Sequence, residues 1–171
     1  MARRRRVIFH IDVNSAFLSW TAVQLMQSGH QDIRLVPSVV SGDPSDRRSI
    51  ITAASIPAKK IGIKTAEPVT MAMRKCPDLV VVKGDWEWYR RCSEGFIETC
   101  RKYSPVLQQF SIDECFIDMS LRNWGEDPVD VATRLKDEVK ATLGFTVNVG
   151  IGSNKLLAKM ASEFEKPDKV H

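Results

Sequence analysis

Residues 106–120 read VLQQFSIDECFIDMS. Two short runs, VLQQF and ECFIDMS, flank a Ser-Ile-Asp junction, the pattern of consecutive strands joined by a tight turn. The junction sets Asp113 and Glu114 side by side between apolar residues. A carboxylate taken out of water without a partner is costly. Three environments meet that cost: a solvated turn, a salt bridge or a divalent metal ion. Neighbouring side chains of a regular strand point to opposite faces. At a hairpin junction the backbone twists, and both acids can be aimed at one point.

The flanking sequence supplies the rest of a sheet. VIFHID (7–12) alternates, with Val7, Phe9 and Ile11 on one face and Ile8, His10 and Asp12 on the other, so this strand also ends in a carboxylate. DLVVVKG (78–84) reads as a short buried strand. Residues 85–104 read as a helix capped by Asp85, with Tyr89, Cys92, Phe96, Cys100 and Tyr103 as its apolar stripe. Asp127, Pro128 and Gly144 bracket a helix carrying Val131, Leu135 and Val139 at four-residue intervals. TVNVGIG (146–152) is a strand. Ser153 is placed to cap a last helix, NKLLAKMASEFEK, that stops before Pro167.

With residues 14–77 set aside, the order is strand, strand, helix, strand, strand, helix, strand. That order predicts an α+β fold, a ferredoxin-like sheet with helices packed on one face. Residues 14–77 then form a small inserted lobe. It contains a helix with Phe17, Trp20 and Val23 that stops at Gly29, and two strands around a turn of Gly42, Asp43 and Pro44. A short helix follows between Pro68 and Pro77.

Bulk properties bound the function. The 171 residues are 43% hydrophobic and 27% charged, ordinary for a soluble globular protein. No apolar run is long enough for a membrane-spanning helix. The net charge is +4, and Arg3, Arg4, Arg5 and Arg6 account for all of it. Any anion-binding surface must therefore come from local placement of Lys and Arg. Cys76, Cys92, Cys100 and Cys115 lack paired spacing, which fits a reduced, cytoplasmic location better than a disulfide framework or a zinc site.

Asp12, Asp113 and Glu114, brought together at adjacent strand ends, would make a hard oxygen site suited to Mg²⁺. Such a site can hold two ions for in-line phosphoryl transfer. GIGSNKLLAK (150–159) offers a cation for phosphate oxygens, with Lys155 in the first turn of a helix. Lys59, Lys60 and Lys64 form a second basic cluster in the inserted lobe, and for Lys60 and Lys64 an ordinary exposed helix face is the preferred reading.

Several stretches together resemble one family. FHIDVNSAF (9–17), PAKKIGIKTAEPVTMAMRKCPDL (57–79), FSIDECFID (110–118) and VGIGSNKLLAKMASEFEKPD (149–168) follow the order and spacing of the Y-family, the lesion-bypass DNA polymerases of UmuC/DinB type. The resemblance implies a catalytic palm over residues 1–13 and 78–171 and fingers over residues 14–77. It implies metal-dependent transfer of a nucleotide from a dNTP to a primer 3′ hydroxyl on template DNA. Asp12, Asp113, Glu114 and the Val13 carbonyl would ligate two Mg²⁺, with Mn²⁺ as a substitute. Phe17 would be the gate that rejects ribonucleotides, and Lys155 and Lys59 would contact the triphosphate.

The match has departures. Positions where relatives carry a phosphate-gripping tyrosine and arginine hold Ile56 and Lys59, and lysine lacks the planar fork of arginine. A threonine of the same loop is replaced by Ala53, beside Thr52. A second acid two residues after Asp12 is Asn14, which is not counted as a ligand. These changes predict weak nucleotide affinity. Thumb, little finger and a sliding-clamp-binding tail are expected in a C-terminal part beyond His171. Two alternatives stay open at this point: a non-catalytic scaffold of the same family in DNA repair, and a nucleotide cyclase on a similar sheet.

Overall fold

The computed structural model describes residues 6–43, 45–46, 48–121 and 125–171. Arg3, Arg4 and Arg5 of the basic leader and Pro44 of the expected turn lie outside the described residues. The chain divides into two compact units, one of residues 1–14 and 90–171, the other of residues 15–89.

The first unit is built on four antiparallel strands: β1 (Ile8–Val13), β5 (Leu107–Gln109), β6 (Glu114–Asp118) and β7 (Val147–Gly152), in the order β5-β6-β1-β7. The alternation read in residues 7–12 sets the register. Ile8, His10 and Asp12 pair with Asp118, Phe116 and Glu114 of β6, and with Gly152, Gly150 and Asn148 of β7. Central β1 is covered on both faces, so Phe9, His10 and Ile11 are all fully buried.

The helices of this unit occupy both faces of the sheet, not the single face expected. α6 (Lys155–Ser162) lies on the face of His10, where the Ser162 hydroxyl meets the imidazole. α4 (Trp86–Arg101), whose first turn belongs to the second unit, reaches the opposite face, where the Cys100 thiol hydrogen-bonds Cys115. That contact and burial raise the Cys100 pKa, and burial pushes Cys92 up to about 12. Both are core thiols, as their helical spacing predicts.

α6 can sit against the strands because β7 offers glycine beneath it. A Cβ on Gly150 would lie 2.0 Å from the Ala158 carbonyl oxygen and 2.4 Å from the Ser162 nitrogen. The helix is capped by Asn154, whose side chain accepts from Leu157 N–H, and not by Ser153. α5 (Pro128–Leu143) has the caps its sequence predicts. Asp127 accepts from Val129 N–H at 2.8 Å, and Gly144 takes a left-handed conformation at φ 78°. Asp127→Ala is expected to cost about 1 kcal/mol, readable as a lower urea midpoint with an unchanged m-value.

The second unit holds α1 (Ala16–Gln27), β2 (Ser38–Ser41), β3 (Ile51–Ala54), α2 (Ile56–Lys60), α3 (Val69–Lys75) and β4 (Val80–Lys83). β2 pairs antiparallel with β3 and parallel with β4, giving the order β3-β2-β4. The strand at 78–84, expected beside the catalytic strands, thus belongs to this sheet. The boundary falls after Tyr89, not after residue 77. Val39, Ile51, Ala54, Ala58, Ile63, Val69, Ala72 and Leu79 form one core here. Among the described residues no helix is long and apolar enough to cross a membrane.

Candidate active site

The β1–β6 register makes Asp12 and Glu114 direct cross-strand partners, and therefore places them on one face of the sheet. Asp113 precedes Glu114 at the hairpin end. Its carbonyl accepts from Val13 N–H at 2.9 Å, which ties the two acidic strand ends together. Its carboxylate accepts from the Ser111 hydroxyl at 2.7 Å.

Each acid of the cross-strand pair has drawn a lysine. Lys166 Nζ contacts Asp12 Oδ2 and lies 2.9 Å from Glu163 Oε1. Lys159 Nζ contacts Glu114 Oε2. Among the described residues no three His, Cys, Asp or Glu side chains are arranged to hold a metal ion. The site is thus closed on ammonium groups.

Electrostatics follow burial. The Asp12 side chain is 14% exposed and that of Glu114 17%. Burial lifts the pKa of Asp12 above the usual carboxylate range; Lys166 opposes the shift and the negative charge of Asp113 adds to it. At Glu114 burial also pushes upward, but the hydrogen bonds from Lys159 and His10 outweigh it, and the net shift is downward. Burial lowers the pKa of His10 despite its contact with Glu114. The upward pressure on Asp12 is relieved by any cation brought closer than Lys166.

Other residues singled out in the sequence stand as follows. Asn14 is buried: its amide nitrogen donates to Asn148 Oδ1 at 3.2 Å and its oxygen accepts from Thr146 Oγ1 at 2.9 Å. Lys155 does not reach the acids. Its Nζ contacts Gln108 Oε1 and lies 5.7 Å from the Phe116 ring centroid. Lys159, one turn on, does reach Glu114.

Phe17 and Lys59 belong to the second unit. Phe17 packs at 5.0 Å from Tyr89, 5.3 Å from Trp86 and 6.1 Å from Trp20, centroid to centroid. Lys59 and Ile56 are exposed on α2. Ala53 faces the core with Val40 and Leu18, while Thr52 turns outward and donates to the Val40 carbonyl at 3.1 Å.

The sequence pattern of the impB/mucB/samB family matches residues 11–163, which takes in the acidic end of β1 and the acidic hairpin. The chain belongs to the impB/mucB/samB family. It is 48% identical over 167 residues to a DNA polymerase IV of Clostridium acetobutylicum, covering 97% of this chain and 42% of that protein. It is 36% identical over 168 residues to DNA polymerase IV 2 of Methanosarcina mazei, covering 96% and 44%. The crystal structure of DinB from Sulfolobus solfataricus superposes with a TM-score of 0.83 at 25% identity, covering 96% of this chain and 47% of that one. A Y-family DNA polymerase chimera superposes with a TM-score of 0.85 at 24% identity, over 96% and 48%. The chain therefore spans less than half the length of these relatives. The Y-family resemblance stands, for the palm and fingers portion.

Within this impB/mucB/samB chain, four side chains around the acids escaped the sequence reading: His10, Lys159, Ser162 and Lys166. His10 carried a signal, because it lies two residues before Asp12 and must share its face. Lys159 and Ser162 lie four and seven residues beyond Lys155, on one side of a helix. Lys166 lies past the helix end and carried none. A groove of about 510 Å³ in the first unit is lined by Arg90, Ser93, Glu94, Gln109 and Ile112 among others and contains none of the three acids.

Proposed function

We propose that the chain is the palm and fingers portion of a translesion-type DNA-directed DNA polymerase, with Asp12, Asp113 and Glu114 as its catalytic acids. The observation that supports this most is the cross-strand pairing of Asp12 with Glu114, next to Asp113, inside the segment that matches the family. The donors suit a hard divalent ion such as Mg²⁺ or Mn²⁺: three carboxylates, two of them mostly buried and already paired with cations. Asp12, Asp113 and Glu114, with the Val13 carbonyl, would hold the ions. When bound, such ions supply Lewis-acid stabilisation of the primer hydroxyl and of the transferring phosphate.

The chain's own residues do the remaining work. The β1–β6 pairing fixes where Asp12 and Glu114 stand, and the Ser111 hydroxyl orients Asp113. Lys166 and Lys159 hold the acids' negative charges in check and must give way to a stronger cation. Once released, these ammonium groups lie beside the acids as donors for phosphate oxygens. Phe17 is proposed as the sugar gate, and Lys155 and Lys59 as triphosphate contacts. dNTP and primer-template DNA are the proposed substrates. A clamp contact would reside in a C-terminal part such as the relatives carry, and the proposed compartment is the cytoplasm.

Primer extension tests the reading. The chain joined to the C-terminal half of the C. acetobutylicum relative should extend a primed template in Mg²⁺ and not in EDTA. Extension that persists in EDTA, or none in any divalent ion, counts against it.

A further inference from the structure

We infer that His10 is a positioning residue: it holds the Glu114 carboxylate in the rotamer that metal binding requires, and is itself held by Ser162. The inference rests on the metal reading above and adds to it a residue and a path through α6.

His10 is fully buried in the middle of β1, with its ring 4.6 Å from Phe116. Both ring nitrogens are engaged. Nε2 lies 2.8 Å from Glu114 Oε2 and Nδ1 lies 2.7 Å from Ser162 Oγ. A neutral imidazole carries one N–H. Glu114 as a carboxylate can only accept, so that hydrogen sits on Nε2, and Nδ1 meets the Ser162 hydroxyl. That hydroxyl donates to the Lys159 carbonyl at 2.8 Å, which anchors it on α6. A relay from α6 through His10 to Glu114 results, which fixes the ring orientation.

The relay has direction. His10 and Lys159 both contact Oε2 of Glu114, so Oε1 is the oxygen that neither engages. Lys159 is a long flexible chain that a metal ion can displace. His10 is locked between Phe116, Ser162 and the strand backbone and cannot follow. It therefore stays on Oε2 when the lysine leaves. The contact depends on Gly150, the β7 partner of His10, because only a residue without Cβ lets Ser162 come this close. Hydrogen bonds to metal-binding carboxylates of this kind typically carry tenfold or more in metal affinity.

The test is Mn²⁺ affinity of the 171-residue chain, read from the free-Mn²⁺ electron paramagnetic resonance signal, alongside thermal unfolding. His10→Phe keeps the ring volume and loses the donor; binding should weaken about tenfold. His10→Gln restores an N–H near the Nε2 position and should come back to within about threefold of wild type. Should His10→Phe not fold, Ser162→Ala removes the contact that holds the ring at Nδ1 and should weaken binding by about threefold. Equal affinity for wild type and His10→Phe overturns the inference. So does a Gln variant as weak as Phe, since that marks a purely structural role. Absence of Mn²⁺ uptake by wild type overturns the metal reading itself, and this inference with it.

Discussion

Asp113→Ala should lower primer extension by about 10³-fold, the rate equivalent of about 4 kcal/mol of transition-state stabilisation. The protein measured is the chain joined to a relative's C-terminal half. Asp113 is the sharpest choice among the three acids. Its carboxylate accepts from Ser111, and no lysine or histidine contacts it among the described residues. Its loss therefore leaves no cation stranded. Asp12→Ala would leave Lys166 with Glu163 alone, and Glu114→Ala would strip Lys159 and the buried His10 of their shared carboxylate, so both mix a folding cost into the result. Single-turnover rates separate the effects. A loss in the chemical step with unchanged DNA binding is the expected outcome; a change below tenfold removes Asp113 from the catalytic set.

The second large effect is structural. Gly150→Ala should destabilise the chain by about 3 kcal/mol, or roughly 6–12 °C in Tm for a chain of this size. The added Cβ would meet backbone atoms of α6 at 2.0 and 2.4 Å, and backbone cannot rotate away as a side chain can. The helix must shift as a body. With it go the Ser162 contact to His10 and the Lys159 contact to Glu114. Thermal unfolding by circular dichroism reads the change, and a Tm within about 2 °C of wild type would show that α6 is not seated on Gly150 as described.

Gly150 also explains where sequence reading stops. Strand alternation in residues 7–12, the hairpin at 106–120 and the capped helix at 128–143 were legible, because each rests on a local rule of period or capping. The face of α6 was not. Its bulky apolar residues Leu156, Leu157 and Met160 are 69%, 47% and 56% exposed. The buried positions are Ala158 and Ser162, small residues that fit against Gly150 and Gly152. Close helix–strand approach rewards the absence of bulk, which a search for apolar periodicity overlooks.

The placement of β4 failed for a related reason. A run such as Val80–Lys83 declares a strand but not its partner, and here the partner is β2 through a parallel pairing. At the candidate site the acids were legible because unpartnered carboxylates inside apolar strands demand an explanation. Lys166 was not, since its pairing with Asp12 spans most of the chain.

The central claim is that Asp12, Asp113 and Glu114 open from their lysines to share divalent ions. Diffraction from Mn²⁺-soaked crystals of the 171-residue chain, with the anomalous signal of manganese, tests it most directly. The account predicts an anomalous peak about 2.0–2.2 Å from oxygens of Asp12 and Asp113, with Lys166 withdrawn from Asp12. Lysines still seated on both acids, with no anomalous peak between β1 and β6 at saturating Mn²⁺, would contradict it.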